Sequence, residues 1–265
     1  MSKKILASFI SVLLFLSTNS SVMAEDTNVN HDDIILQQAI AMNTQLSSQN
    51  CEQFDIVPLN QISSLSVSTE ISSNKAIQSI EYENNLVKVT TILPYKILPN
   101  GELISSFDYE IPQTRGSGPV VVEFVDIAVT INAYYDHYFS FENVANFYRH
   151  IGVDAYWNSD NSTVSVQQMN VIYESAGEVY SYPRCMTESL SSTLISDNYS
   201  CISRIEKSNP IKGTCYENLN NFMPTNSALL CTHPFEHGGV VSLELSYSRN
   251  GQNYYREDSY SVYTK

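Results

Sequence analysis

The chain is 265 residues long, with 28 acidic against 14 basic side chains, a formal net charge of −14 and five cysteines. That length holds one large domain or two modest ones. The acidity, with no cluster of Lys or Arg, repels phosphate backbones and anionic headgroups, so nucleic acid is excluded as an expected partner.

Lys3 and Lys4, the apolar run Ile5–Leu16, a polar stretch and the small-residue pattern Val22-Met23-Ala24 together form a secretory signal peptide. The apolar run is too short to span a bilayer as a helix, which takes about 20 residues. Residues 1–24 are therefore expected to be removed near Ala24, leaving a secreted or periplasmic protein. No second long apolar run follows, so no transmembrane segment is expected in the mature chain. Cleavage removes two lysines and no acid, which leaves 12 basic against 28 acidic residues, a net charge of −16.

Asp32 or Asp33 caps an expected helix that runs to about Ser47, with Ile35, Ala39, Met42 and Leu46 at helical spacing. From about Ser63 the period changes to two. Runs at 65–71, 76–83, 86–93 and 103–111 alternate apolar and polar residues between turn sequences, the pattern of an antiparallel meander. The segment 112–119, Pro-Gln-Thr-Arg-Gly-Ser-Gly-Pro, reads as a linker. It divides an N-terminal helix and meander (25–111) from a β-rich, disulfide-braced region (120–265).

Residues 120–135 form the strongest strand pattern, with Val125, Ile127, Val129, Ile131 and Ala133 on one face. A short helix is expected near 141–151, from the stripe Val144, Phe147, Tyr148 and Ile151 and the stop at Gly152. Strands are expected at 153–157, 163–173 and 178–182, and 184–237 reads as irregular. The chain closes with a hairpin whose arms, 240–247 and 253–263, flank Asn250-Gly251, the preferred type I′ pair. The fold class is thus mainly β: an antiparallel sandwich or two small β domains, with an N-terminal helix and one short helix.

All five cysteines lie beyond the signal: Cys51, Cys185, Cys201, Cys215 and Cys231, the last four at steps of 16, 14 and 16 residues. In an exported chain this reads as disulfides. Two bridges within 185–231 would leave Cys51 over. In the alternative, Cys51 ties the N-terminal helix to the C-terminal half. A tetrathiolate metal site is the weaker reading, because no Cys-x-x-Cys pair is present.

Two constellations bear on function. Tyr134, Tyr135, His137 and Tyr138 crowd one strand end, where rings and a base suit a polar or sugar ligand. His233, Glu236 and His237 match the spacing of an inverted zinc-peptidase motif, although Pro234 and Gly238-Gly239 oppose the helix that motif needs. No nucleophile elbow, phosphate loop or dinucleotide fingerprint occurs, and no cofactor is expected. The reading that follows is an exported, non-catalytic protein that binds a protein or carbohydrate partner outside the cytoplasm, as a bacterial colonisation or surface-interaction factor does. Two alternatives stand beside it: a β-pore toxin inserting the Ser/Thr-rich hairpin at 63–82, and a secreted hydrolase, zinc-dependent or otherwise.

Overall fold

Among the described residues, twelve strands and one helix account for nearly all the regular structure in the computed structural model. The structure describes residues 30–44, 67–71, 76–83, 86–110, 123–139, 146–181, 194–219, 227–231 and 237–263. Helix α1 spans His31–Thr44. The strands are β1 (Val67–Ile71), β2 (Ile77–Glu83), β3 (Leu86–Ile97), β4 (Leu103–Ser105), β5 (Ile127–Phe139), β6 (Asn146–Asn158), β7 (Val164–Ser181), β8 (Leu194–Ser208), β9 (Tyr216–Asn218), β10 (Ser227–Cys231), β11 (His237–Arg249) and β12 (Gln252–Tyr263).

All pairings are antiparallel, and hydrogen bonds link every strand into one path, β1-β2-β3-β5-β6-β10-β7-β11-β12, with β4, β8 and β9 as side branches. The path folds over at β10. That strand pairs with residues 146–148 of β6 on one side and residues 179–181 of β7 on the other. Elsewhere β6 and β7 lie in different layers. The result is a two-sheet arrangement: β1-β2-β3-β5-β6 faces β8-β7-β11-β12, and the layers merge at one corner.

The alternation seen in the sequence becomes a single core. Val87, Val89, Leu93, Ile127, Val129, Ile131, Val153, Ala155 and Trp157 of the first sheet meet Met169, Val171, Tyr173, Val241, Leu243, Leu245 and Tyr247 of the second. A period-two strand puts these side chains on one face, and burying that face is the main stabilising term. Polar side chains then clip the layers together. Gln78 Nε2 donates to the Ser261 carbonyl at 2.9 Å. The Tyr95 hydroxyl donates to Asp258 Oδ2 at 2.8 Å, and Arg256 grips the same carboxylate through two bonds of 2.6 Å. The Tyr247 hydroxyl donates to the Gly101 carbonyl, and Tyr254 stacks on Tyr247 with ring centroids 5.2 Å apart.

Helix α1 buries Ile35, Ala39 and Met42, the i, i+4, i+7 stripe expected of it, while Leu46 lies outside the described residues. Its ends are held. Gln38 Oε1 accepts from the Phe124 backbone at 2.9 Å, and Asn158 Nδ2 donates to the Met42 carbonyl at 2.8 Å. Asp32 and Asp33 in the first turn oppose the positive end of the helix dipole.

The short helix expected near 141–151 is corrected. Residues 146–151 are the start of β6, and 140–145 lie outside the described residues. Phe147, Tyr148 and Ile151 suit a strand as well as a helical stripe. What decides is pairing on both sides, with β5 along the whole of β6 and with β10 at its beginning. The run at 103–111 gives only the short β4, then a 3-10 turn at Ser106–Asp108. The region read as irregular holds the 15-residue β8. Segment 112–119 lies outside the described residues, while His31–Glu110 and Glu123–Lys265 belong to one compact unit. The closing hairpin forms as expected: Asn250 and Gly251 have φ of 53° and 79°, the left-handed values of a type I′ turn.

Candidate functional site

The outer face of the first sheet carries a cross-strand polar band. One row runs Thr90 (β3), Asn132 (β5), Asp154 (β6). Its members are hydrogen-bonded in sequence: Thr90 Oγ1 donates to Asn132 Oδ1, and Asn132 Nδ2 donates to Asp154 Oδ1, both at 2.6 Å. The next row runs Lys88, Tyr134, Gly152. The Tyr134 hydroxyl donates to Asp154 Oδ2 at 2.6 Å, and Gly152, opposite Tyr134, puts no side chain in the way. The Cys215 thiol adds a further bond to the same carboxylate. Beyond Tyr134, Arg149 Nε donates to Asp136 Oδ2 at 3.1 Å, and Lys88 stands 3.6 Å from Glu81.

Burial is graded across this band. Thr90, Asn132 and Asp154 are buried, whereas Lys88, Tyr134, Asp136 and Arg149 are half-buried. Burial pushes the Asp154 carboxyl up from its ordinary range. The bonds from Tyr134 and Asn132, the charge of Lys88 and the Cys215 thiol oppose that rise by favouring the carboxylate. The arrangement can therefore hold a fixed acceptor at its floor, with donors of both kinds, hydroxyl and cationic, at its rim.

A bulge in β6 aims the side chains here. The register passes from Tyr134↔Gly152 to Tyr135↔His150, so Ile151 is an extra residue. Above the bulge, Val153, Ala155 and Trp157 face the core. Below it the phase flips, and Tyr148 and His150 face inward while Arg149 turns out to Asp136. His150 is fully buried, with Nδ1 2.9 Å from Ser175 Oγ and Nε2 2.7 Å from Ser203 Oγ, and its ring stacks 4.1 Å from Tyr173. Two hydroxyls can serve a neutral imidazole, one accepting and one donating. Burial lowers the His150 pKa to about 4.

The residues singled out in the sequence divide sharply. Tyr134 joins the band. Tyr135 is fully buried, edge-on to Tyr148 at 6.1 Å, so its ring belongs to the core. His137 is buried as well, and the Tyr138 side chain lies outside what is described. His233 and Glu236 lie outside the described residues, and of His237 only the backbone is described, where β11 begins. Among the described residues no group of three or more His, Cys, Asp or Glu side chains could hold a metal ion. No helix among them is long and apolar enough to cross a membrane.

No disulfide joins Cys201 or Cys215. Cys201 faces the core between the sheets, where burial raises its thiol pKa to about 11, while Cys215 bonds Asp154 on the other side of the first sheet. Cys51 and Cys185 lie outside the described residues, and of Cys231 only the backbone is described. Asp154, Asn132, Thr90 and Lys88 were not foreseen as a group. The available signal was polar residues at alternate positions in otherwise apolar strands, and only the register brings them together. Searches against protein-family models, curated proteins and solved structures each return no match.

Proposed function

We propose that this chain is an exported, non-catalytic binding protein of the surface-interaction kind, and that its ligand site is the polar band around Asp154. The export signal supports the compartment, and the band supports the role. The observation that carries the reading is the fixed set of Asp154, Tyr134, Lys88 and Arg149 on one sheet face. Acceptors and donors at several-ångström spacing, beside a tyrosine ring, match the ring face and hydroxyls of a carbohydrate. Because register and hydrogen bonds hold the polar groups, little ordering is needed on binding.

Capture on a glycan array tests it. Wild type is expected to retain a defined subset of glycans. Tyr134→Ala and Lys88→Ala are each expected to weaken capture about tenfold, the loss of one good polar contact. Lys88→Ala removes a half-exposed side chain and is expected to melt within a degree or two of wild type, so its effect is not one of unfolding. Absence of any glycan captured by wild type, or unchanged capture by both variants, overturns the reading.

A further inference from the structure

The two sheets differ in what their outer faces meet. On the first sheet Thr90, Ile92, Thr130, Asn132 and Asp154 are buried, and α1 packs against β3 and β5. The outer face of β8-β7-β11-β12 carries exposed apolar side chains. Ile202 on β8, Val240 on β11 and Tyr255 on β12 are 43%, 37% and 59% exposed. Register places Ile202 and Val240 on either side of Glu174 in one row across the sheet. Two rows along, Glu206, Asn170, Glu244 and Glu257 stand side by side across all four strands. Tyr255 adjoins that row and donates to Glu257 Oε2 at 3.3 Å.

The charge on this face is lopsided. It presents Glu174, Glu206, Glu244 and Glu257 against Arg204, which is bonded to Glu206 at 3.0 Å. Glu244 and Glu257 are directly opposed on neighbouring strands. Like charges so placed destabilise a sheet, and folding itself has no use for them. Among the described residues the donor to each is neutral: Asn170 for Glu244 at 2.9 Å, Tyr255 for Glu257. Strands lie about 4.8 Å apart, so the acidic row spans about 14 Å, and it runs beside exposed aliphatic side chains. An extended peptide repeats its side chains on one face every ~6.8 Å, which suits this mixture of carboxylate and apolar surface.

We propose that the outer face of the β8-β7-β11-β12 sheet docks a cationic polypeptide segment, with Lys or Arg meeting the glutamate row and aliphatic residues meeting Ile202 and Val240. This surface is separate from the Asp154 band and does not depend on that band's ligand. Complementary charge gives the segment its orientation and speeds its association, and the apolar contacts hold it.

Fluorescence anisotropy with a labelled octapeptide of the repeat Lys-Lys-Leu-Leu, which puts both residue types on each face of an extended chain, tests this, with the repeat Glu-Glu-Leu-Leu as the control peptide. Wild type is expected to bind the basic peptide, more weakly as salt rises, and to ignore the acidic one. Glu244→Gln/Glu257→Gln is expected to lower affinity about tenfold, and Ile202→Ser/Val240→Ser to lower it as well. Glu110→Gln/Asp160→Asn, which removes the same net charge at exposed positions elsewhere, is expected to bind as wild type. Far-UV circular dichroism confirms that each variant is folded. The proposal is overturned if wild type does not bind, or if the elsewhere-charged control loses as much affinity as the Glu244/Glu257 variant. It is also overturned if Tyr134→Ala abolishes peptide binding, because the peptide would then occupy the other sheet. Failure on the glycan array leaves this result untouched.

Discussion

Gly152→Val is expected to lower the melting temperature by about 10 °C. A Cβ at position 152 would meet the Asn218 carbonyl oxygen at 2.2 Å and Leu219 Cα at 2.6 Å. Both are backbone atoms, so no flexible side chain can swing away. Overpacking of this kind costs about 1–3 kcal/mol, and the upper end applies where backbone must shift. The shift would also strain the pairing of β9 with β6 and the bond from Asn218 Nδ2 to the Arg204 carbonyl, 2.8 Å, that ties β9 to β8. In a chain of this size 3 kcal/mol corresponds to about 10 °C. Gly251→Ala is the comparison: a Cβ there meets nothing within 4 Å, and only its positive φ is unfavourable, worth about 1 kcal/mol. Differential scanning calorimetry of both variants checks the ranking. Equal melting temperatures would mean that the close approach at Gly152 does not constrain the fold.

Stability is expected to fall by about 3 kcal/mol between pH 6.5 and pH 4 on account of His150 alone. Its folded-state pKa is lowered from 6.5 to about 4, because burial penalises the imidazolium. Above pH 6.5 the ring is neutral in both states, and the contribution is fully present. Between 6.5 and 4 the unfolded chain takes up a proton that the folded chain refuses, so stability is lost as pH falls. At 1.36 kcal/mol per unit, the loss is about 3 kcal/mol. Asp154 acts in the opposite sense. Its raised pKa makes the folded chain hold a proton longer, so its contribution grows as pH falls. Urea midpoints at pH 7.5 and 4.5 for wild type and His150→Gln separate the two. The variant is expected to be less stable at pH 7.5 but to lose less on acidification. A wild type and variant with parallel pH profiles would rule out titration of a buried neutral His150.

Strand content and hairpins were legible because they rest on local rules. Val87 and Val89, Ile127 through Ala133, and Asn250-Gly251 each signal their conformation within a few residues. The misreading at 146–151 has a physical cause: Phe147, Tyr148 and Ile151 satisfy a period of 3.6 as well as a strand, and only the neighbours β5 and β10 settle which is used. Strand β8 was missed because its inward positions, Cys201, Ser203 and Ile205, are small or polar for two residues out of three. The bulge at Ile151 is invisible without a partner strand, and it alone decides that His150 points in and Arg149 out. Tyr134 stood out as an aromatic in a cluster, but its partner Asp154 lies 20 residues away and is reached through register. Tyr135, beside it, has the opposite role because adjacent strand residues face opposite sides.

The clips between the layers join strands that lie far apart in the polypeptide. Gln78 waits for Ser261, and Tyr95 waits for Asp258, partners separated by 183 and 163 residues. A chain made from its N-terminus can pair β1, β2 and β3 early, but the layer opposite them is finished only when β12 exists. Closure is therefore a late event governed by very long-range contacts, which are slow to form. A nascent chain of this design cannot close its core until β12 has been made, and that strand then locks the two layers together.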